Sequence, residues 1–184
     1  TSLTDMVTRL QSQVNIGGND ALVLAGLALM LIGFAFKVSA VPFHVWSPDV
    51  YQGAPSNITA FMASVGKVAA FGAMLRVLTS ALPFYRDDWR PIIWVLAVLS
   101  LVVGSLLAVV QTDVKRMLAF SSVSHAGFIL VGLEAAGLSA GESAMFSSVQ
   151  SVAVYLGLYS VLVVGSFAVI SVASRSGDTT LDSF

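Results

Sequence analysis

The stretch at 36–67 reads FKVSAVPFHVWSPDVYQGAPSNITAFMASVGK and carries two lysines, Lys37 and Lys67. Residues 21–36 before it contain no ionisable side chain, and the apolar pattern continues past Lys37 to Trp46. An apolar run of about 20 residues is long enough to cross the hydrocarbon core of a bilayer. The pattern therefore predicts a membrane-crossing segment with a lysine well inside it.

The two lysines are placed symmetrically about a polar turn predicted at 47–57. Lys37 lies ten residues before Ser47, and Lys67 lies ten residues after Asn57. At ~1.5 Å rise per residue, each ammonium would be ~15 Å from the turn, about half of a ~30 Å hydrocarbon core. If the two runs form an antiparallel pair, we expect both lysines near the midplane.

A lysine at the midplane is costly, by about 2.5–3.5 kcal/mol on the insertion scale. Such residues usually face a bundle interior or a wet cavity and mark ion routes. The alternative is a snorkelling lysine, but at this depth the side chain would not reach either headgroup layer. We therefore interpret Lys37 and Lys67 as candidate ion-translocating groups.

Pro42 and His44 add to this candidate site. The Pro42 ring would clash with the Val38 carbonyl and it removes one helical donor, which predicts an interruption near Lys37. Broken helices at membrane depth form binding sites in transporters. His44 is either an interfacial histidine satisfied by the turn or a proton relay, and the sequence favours neither.

The whole chain is predicted to be an all-α, polytopic transmembrane helix bundle with about five spans and a proline-broken first span. With 57% hydrophobic and only 10% charged residues, it is not a typical soluble domain. We expect a polar, amphipathic surface segment at 1–20 and a polar tail at 175–184. Pro91 is expected in the first turn of the third span, and a loop at 134–142. The spans are predicted at about 21–46, 57–78, 91–110, 113–134 and 144–174.

Charge and cysteine content exclude several functions. The formal net charge of −1 gives no signal for nucleic acid, and the absence of cysteine excludes thiolate iron–sulfur ligands and disulfides. We expect no acidic residue inside any span, so the lysines either meet a carboxylate from elsewhere or are partly neutral. The first residue, Thr1, leads us to expect a piece of a longer protein.

The fourth span contains further candidates. Thr112 or Asp113 would cap it, and Lys115 and Arg116 follow in its first turn, where cations oppose the helix dipole. Headgroup anchoring is the preferred explanation for this basic pair, with proton entry as the alternative. His125 lies near mid-depth and is equally consistent with a packed core residue and with a proton relay.

Polar residues in the last spans are given a structural interpretation. Serines at 121, 122 and 124 can bond to carbonyls of their own helix. A polar stripe made by Gln150, Tyr155 and Tyr159 is predicted to serve helix packing rather than transport.

Two separated blocks carry a family resemblance. Residues 37–55, KVSAVPFHVWSPDVYQGAP, with SVGK at 64–67, and residues 113–128, DVKRMLAFSSVSHAGF, resemble the proton-pumping, antiporter-like membrane subunits of respiratory complex I. The resemblance implies that Lys37 and Lys67 belong to a chain of buried protonatable groups. It also retains Lys115 as a candidate and places its side of the bundle in the cytoplasm.

The resemblance also implies partners and cofactors. This chain would hold no cofactor and no metal, whereas NADH, flavin, iron–sulfur clusters and quinone are expected in partner subunits. The expected partners are other complex I membrane subunits, missing parts of the same subunit and the lipid bilayer of the cell inner (plasma) membrane, with no nucleic acid. The alternatives are a cation/proton antiporter, a hydrogenase-linked pump subunit and a membrane scaffold that moves no ions.

Overall fold

The computed structural model describes residues 5, 8, 9, 12, 20–138, 142–174 and 179–181. Within these ranges the only strand-like pairing is an isolated bridge between Asp113 and Thr180. A π-helical turn continues the third helix over Val77–Ala81, and a 3-10 turn at Pro83–Tyr85 precedes the fourth. The α-helices in this part of the chain are α1 (Asp20–Val38), α2 (Trp46–Gly53), α3 (Ser56–Arg76), α4 (Arg86–Val109), α5 (Val114–Leu138) and α6 (Glu142–Ala173).

Five segments of the described part of the chain are long and apolar enough to cross a membrane, which confirms the predicted all-α polytopic bundle. The helix α5 packs against α4 on one side and α6 on the other, and α3 packs against α6 and α1. The short helix α2 lies against α5. The five candidate spans are Ala21–Val38, Ser56–Ala81, Pro83–Val109, Val114–Leu138 and Ser143–Ala173.

The first span is shorter than predicted, because α1 ends at Val38. Ser39 adopts a left-handed backbone conformation, with φ of 60°. Its N–H donates to the Phe36 carbonyl at 3.1 Å, and the Ala40 N–H donates to the Ala35 carbonyl at 2.8 Å. These two bonds form a Schellman motif, which satisfies carbonyls at a helix end. The helix thus stops at Ser39, and Pro42 lies in the non-helical link that follows.

The predicted polar turn at 47–57 is wrong, since α2 occupies Trp46–Gly53. Contacts with the first turn of α5 hold this short helix. Arg116 donates to the Asp49 carboxylate, and the Lys115 Nζ donates to the Ala54 carbonyl at 3.0 Å. Tertiary contacts commonly stabilise a helix too short to form alone. They also explain why two cations are tolerated at the start of α5.

Close backbone approach joins α4 to α5. A Cβ atom added at Gly104 would lie 2.6 Å from the backbone nitrogen of Ser124. One added at Gly127 would lie 2.8 Å from the Leu101 Cγ and 3.0 Å from the Ala97 carbonyl oxygen. Small residues at such positions let membrane helices pack closely. The two glycines therefore set the α4–α5 distance.

We expect Gly127→Ala to lower the free energy of unfolding by about 1–3 kcal/mol, because the new methyl group overpacks this contact. The thermal unfolding midpoint of the full-length subunit in lipid nanodiscs measures the effect. Gly72→Ala in α3 is the matched control, since its Cβ would meet nothing within 4 Å. Equal midpoints for the two variants would show that the α4–α5 contact is not tight.

An ion pair joins the start of α4 to the last turns of α5. The Arg90 Nε and Nη2 atoms donate to the Glu134 Oε1 at 3.1 and 2.9 Å. Because α5 continues to Leu138, Glu134 lies inside a candidate span, and the expectation of no acidic residue in any span is wrong. Its charge is paired with Arg90 rather than with a lysine.

The start of α4 also differs from the prediction. This helix begins at Arg86, so Pro91 lies inside the helix and not in its first turn.

Most of the predicted surface segment at 1–20 and of the tail at 175–184 lies outside the described residues. Of the tail, Thr179 pairs with the start of α5: its carbonyl accepts from the Val114 N–H at 2.9 Å and its hydroxyl donates to the Asp113 carboxylate. Asp113 also accepts from the Arg116 N–H at 2.9 Å. This bond confirms Asp113, one of the two predicted caps, as the cap of α5.

Candidate functional site

Among the residues described, Lys67 in the middle of α3 is the buried cation, and it is only 2% exposed. Its ammonium donates to the backbone carbonyl of Ser122 on α5. It also lies 5.8 Å from the centre of the Tyr159 ring on α6. Among the residues described, no carboxylate forms an ion pair with it. A buried ammonium without a counter-charge is expensive. Lys67 is therefore a strong candidate for function.

His125 lies beside this lysine, three residues after Ser122 and on the same face of α5. Its Nδ1 atom is 2.7 Å from the Tyr155 hydroxyl, and its ring centre is 5.0 Å from that of Tyr159. The Tyr159 hydroxyl is in turn 2.6 Å from the Ser122 hydroxyl. The contacts thus gather two titratable side chains and three hydroxyl groups of α5 and α6 in one place. We call Lys67, Ser122, His125, Tyr155 and Tyr159 the central cluster.

A small cavity borders the central cluster between α3, α5 and α6. It offers about 10 Å³ of space for the centre of a water molecule, which is about enough for one water. Its polar lining comes from Ser121, Ser122, His125, Tyr159 and Ser166. Several hydroxyls and an imidazole give such a water the hydrogen-bond partners it requires.

The helix α2 contributes a further hydroxyl. Tyr51 is 1% exposed, and its phenol group lies within hydrogen-bonding reach of the Ser122 side chain. Its ring packs edge-on against Phe167 at 6.4 Å. Burial raises the pKa of Tyr51 to about 12, so the phenol is neutral at physiological pH. Tyr51 therefore offers a neutral hydrogen-bonding group to the same site.

The other predicted site residues make separate contacts. Lys37 lies exposed in the last turn of α1, and none of the described carboxylates pairs with it. The half-buried His44 ring is 6.2 Å from that of Phe120. Its Nδ1 is buried and has no partner in the described ranges. Lys115 is half-buried at the start of α5, bonded to the Ala54 carbonyl. The structure thus gathers Lys67 and His125, whereas none of the contacts described for Lys37, His44 and Lys115 involves this pair.

The sequence pattern predicts a packing role for two residues of the central cluster, Tyr155 and Tyr159. Tyr155 and Tyr159 are four residues apart, so they lie on one face of α6. That face meets His125 and Ser122. The spacing is visible in the sequence, but the sequence does not show which helix this face packs against.

Nowhere in the described ranges do three histidine or acidic side chains gather as a metal site would require.

Comparison with known families matches residues 1–182 to the family described as NADH:quinone oxidoreductase/Mrp antiporter, transmembrane. Curated relatives named NADH-quinone oxidoreductase subunit N occur in several bacteria. The protein of Nocardioides sp. is 50% identical over 164 residues, or 87% of this chain and 30% of the relative. Those of Rhodococcus opacus and Mycobacterium tuberculosis are each 54% identical, over 86% and 83% of this chain and 28% and 27% of the relatives. The chain therefore spans less than a third of the length of these relatives.

Solved structures show the same fold. A chain of respiratory complex I from Thermus thermophilus with bound aureothin is 39% identical, with a TM-score of 0.67 over 84% of this chain and 31% of that one. A chain of the membrane-bound sulfane sulfur reductase, an archaeal respiratory membrane complex, is 26% identical, with a TM-score of 0.72 over 90% of this chain and 33% of that one. With a family match along almost its whole length, the chain belongs to the NADH:quinone oxidoreductase/Mrp antiporter transmembrane family.

Proposed function

We propose that this chain is part of the proton-translocating membrane subunit of an NADH-quinone oxidoreductase, and that Lys67 and His125 hold and pass the protons. The observation that carries this proposal is the burial of Lys67 beside a second titratable group, with no acid paired to it in the described part of the chain. Relatives at 50–54% identity carry the name of subunit N of that enzyme, which supports it.

The chemistry required of the central cluster is proton transfer alone. A buried lysine changes between holding and releasing a proton when hydration or the distance to another charge changes. His125 is a second group able to hold a proton, and a cavity with room for about one water lies beside it. Movements of helices driven by distant redox chemistry would supply the change in environment at Lys67.

The remaining candidates, Lys37, His44 and Lys115, are given roles in the same proposed proton route. We place Lys37 on the same route, with its counter-charge supplied by another part of the subunit. His44, with its unpartnered Nδ1, and Lys115, at the start of α5, would connect the route to its surroundings. NADH, flavin, iron–sulfur clusters and quinone would act in partner subunits of the same complex, in the plasma membrane of a bacterium.

An alternative function is cation/proton antiport, because the matched family includes Mrp antiporters. The similarity to a chain of an archaeal respiratory complex of a different type also indicates that this fold is not limited to one enzyme. In this alternative the same lysine and histidine exchange protons against another cation.

Sodium dependence separates the two functions. We expect NADH to drive acidification of inside-out membrane vesicles containing the full-length subunit at the same rate with and without sodium. A collapse of acidification in sodium-free buffer would instead favour the antiporter. Undiminished acidification after Lys37→Leu and Lys67→Leu are combined would overturn both and favour a scaffold.

A further inference from the structure

The contacts of Lys67 and His125 leave a gap between these two groups. The Lys67 ammonium donates to the backbone carbonyl of Ser122, and a carbonyl oxygen has no proton of its own to pass on. The His125 Nδ1 is engaged with the Tyr155 hydroxyl. No direct hydrogen bond joins Lys67 to His125 among the residues described. A proton moving between them needs a group that can both accept and donate.

Tyr159 occupies this gap. Its ring centre lies 5.8 Å from the Lys67 nitrogen and 5.0 Å from the centre of the His125 ring. Its hydroxyl lies 2.6 Å from the Ser122 hydroxyl, and the two residues are 3% and 2% exposed. Hydroxyl groups both donate and accept hydrogen bonds. The pair therefore has the chemistry that the gap requires, and it is shielded from bulk solvent.

The small cavity completes the connection. Ser122, Tyr159 and His125 all line it, together with Ser121 and Ser166. Its size allows about one water molecule. One water at this position can bond to a hydroxyl and to the imidazole at the same time.

We propose that Tyr159, paired with Ser122, relays protons between Lys67 and His125, so that α6 supplies part of the proton path as well as a packing surface. This proposal rests on the proposed function. The ammonium of Lys67 releases one proton to the hydroxyl pair and the adjoining water. Each hydroxyl accepts one proton and releases its own, and His125, in the tautomer whose Nδ1–H donates to the Tyr155 hydroxyl, binds the last one at Nε2. Lys67 becomes a neutral amine, His125 becomes an imidazolium, and no bond between heavy atoms changes.

A purely structural role for Tyr159 makes a different prediction. The ring alone provides the contact with the lysine and the packing against His125. Tyr159→Phe keeps that ring and removes only the hydroxyl. A structural role therefore predicts little change in proton transfer for this variant, whereas the relay predicts a large loss.

The test uses the intact complex in inside-out vesicles, with proton uptake measured per NADH oxidised. The part of the uptake lost in Lys67→Met defines the share that passes through this subunit. We expect Tyr159→Phe and Ser122→Ala each to remove most of that share, slowing transfer at least about tenfold, as loss of a positioned proton-transfer group does. Because both hydroxyls act in one relay, the double variant should lose no more than the more severe single variant.

Two control substitutions measure the effect of losing a tyrosine or serine hydroxyl outside the central cluster. Tyr85→Phe removes the hydroxyl of a buried tyrosine that lies in the 3-10 turn before α4. Ser160→Ala removes a serine hydroxyl of α6 that bonds to the Leu156 carbonyl of its own helix at 2.7 Å. Both should retain the share of proton uptake defined by Lys67.

The outcomes separate the relay from the proposed function. Wild-type uptake in both Tyr159→Phe and Ser122→Ala, with uptake lost in Lys67→Met, would overturn the relay and leave the function intact. Unchanged uptake in Lys67→Met would overturn the function itself. Additive losses in the double variant would also overturn the relay, since they would indicate two independent defects. If Tyr159→Phe does not assemble, proton uptake in Ser122→Ala alone tests the relay: a loss of uptake supports the relay, and wild-type uptake overturns it.

Discussion

Replacing Lys67 with methionine is expected to abolish the proton translocation that passes through this subunit. Methionine has a long, flexible side chain that fills much of the same space, so the packing of α3 against its neighbours is largely kept. The protonatable group is lost, and we expect transfer through the subunit to fall by at least about a hundredfold, the size of a missing acid–base group. Protons taken up per NADH oxidised, measured in inside-out vesicles, report the loss.

The control for this variant is Arg76→Met, which removes an exposed cation from the end of the same helix. It should leave the proton stoichiometry unchanged. Normal assembly and unchanged stoichiometry in Lys67→Met would remove Lys67 from the proposed route.

The same variant has a second readout with the opposite sign. A buried charge without a counter-charge costs free energy, and even a buried ion pair can often be replaced by well-packed apolar residues with a gain in stability. We therefore expect Lys67→Met to raise the thermal unfolding midpoint of the subunit while transport is lost. A lysine retained for structure would give a lower midpoint, because its hydrogen bond to Ser122 would be missed.

The second large effect is expected at His125. Phenylalanine at this position keeps an aromatic ring among Phe128, Tyr155 and Tyr159, whose ring centres lie 6.3, 6.0 and 5.0 Å away. It removes the titratable nitrogens and leaves the Tyr155 hydroxyl without its partner. We expect proton uptake through the subunit to fall at least about tenfold in His125→Phe. The initial rate of vesicle acidification, compared with the rate of NADH oxidation, measures this.

A glutamine at the same position distinguishes proton transfer from simple hydrogen bonding. Its amide can still bond to Tyr155 but does not titrate near neutral pH. His125→Gln should therefore be as defective as His125→Phe in proton uptake and should be more stable to heat. Recovery of uptake in His125→Gln would reduce His125 to a residue that orients Tyr155.

Much of the fold follows from local chemistry that the sequence displays directly. Runs of apolar residues long enough for a bilayer predict five spans, and the residues that the structure describes contain five candidate spans. The sequence predicts Thr112 or Asp113 as a cap, since short polar side chains precede the first turn of a helix, and Asp113 accepts the predicted kind of bond from the Arg116 N–H. The helix ends were less predictable: Ser39 ends α1 with a backbone conformation that no hydrophobic pattern reveals.

The sequence by itself determined the class of the protein and named Lys67 and His125 among its five candidates, because a titratable side chain within a long apolar run can be recognised from its neighbours along the chain. Only the tertiary structure decided which residues meet them. Tyr155 and Tyr159 face His125 because α6 packs against α5, and Glu134 pairs with Arg90 because α4 and α5 pack tightly along Gly104 and Gly127. The physical reason is that helix periodicity fixes which residues share a face, whereas the choice of the facing helix depends on how surfaces fit across the whole bundle.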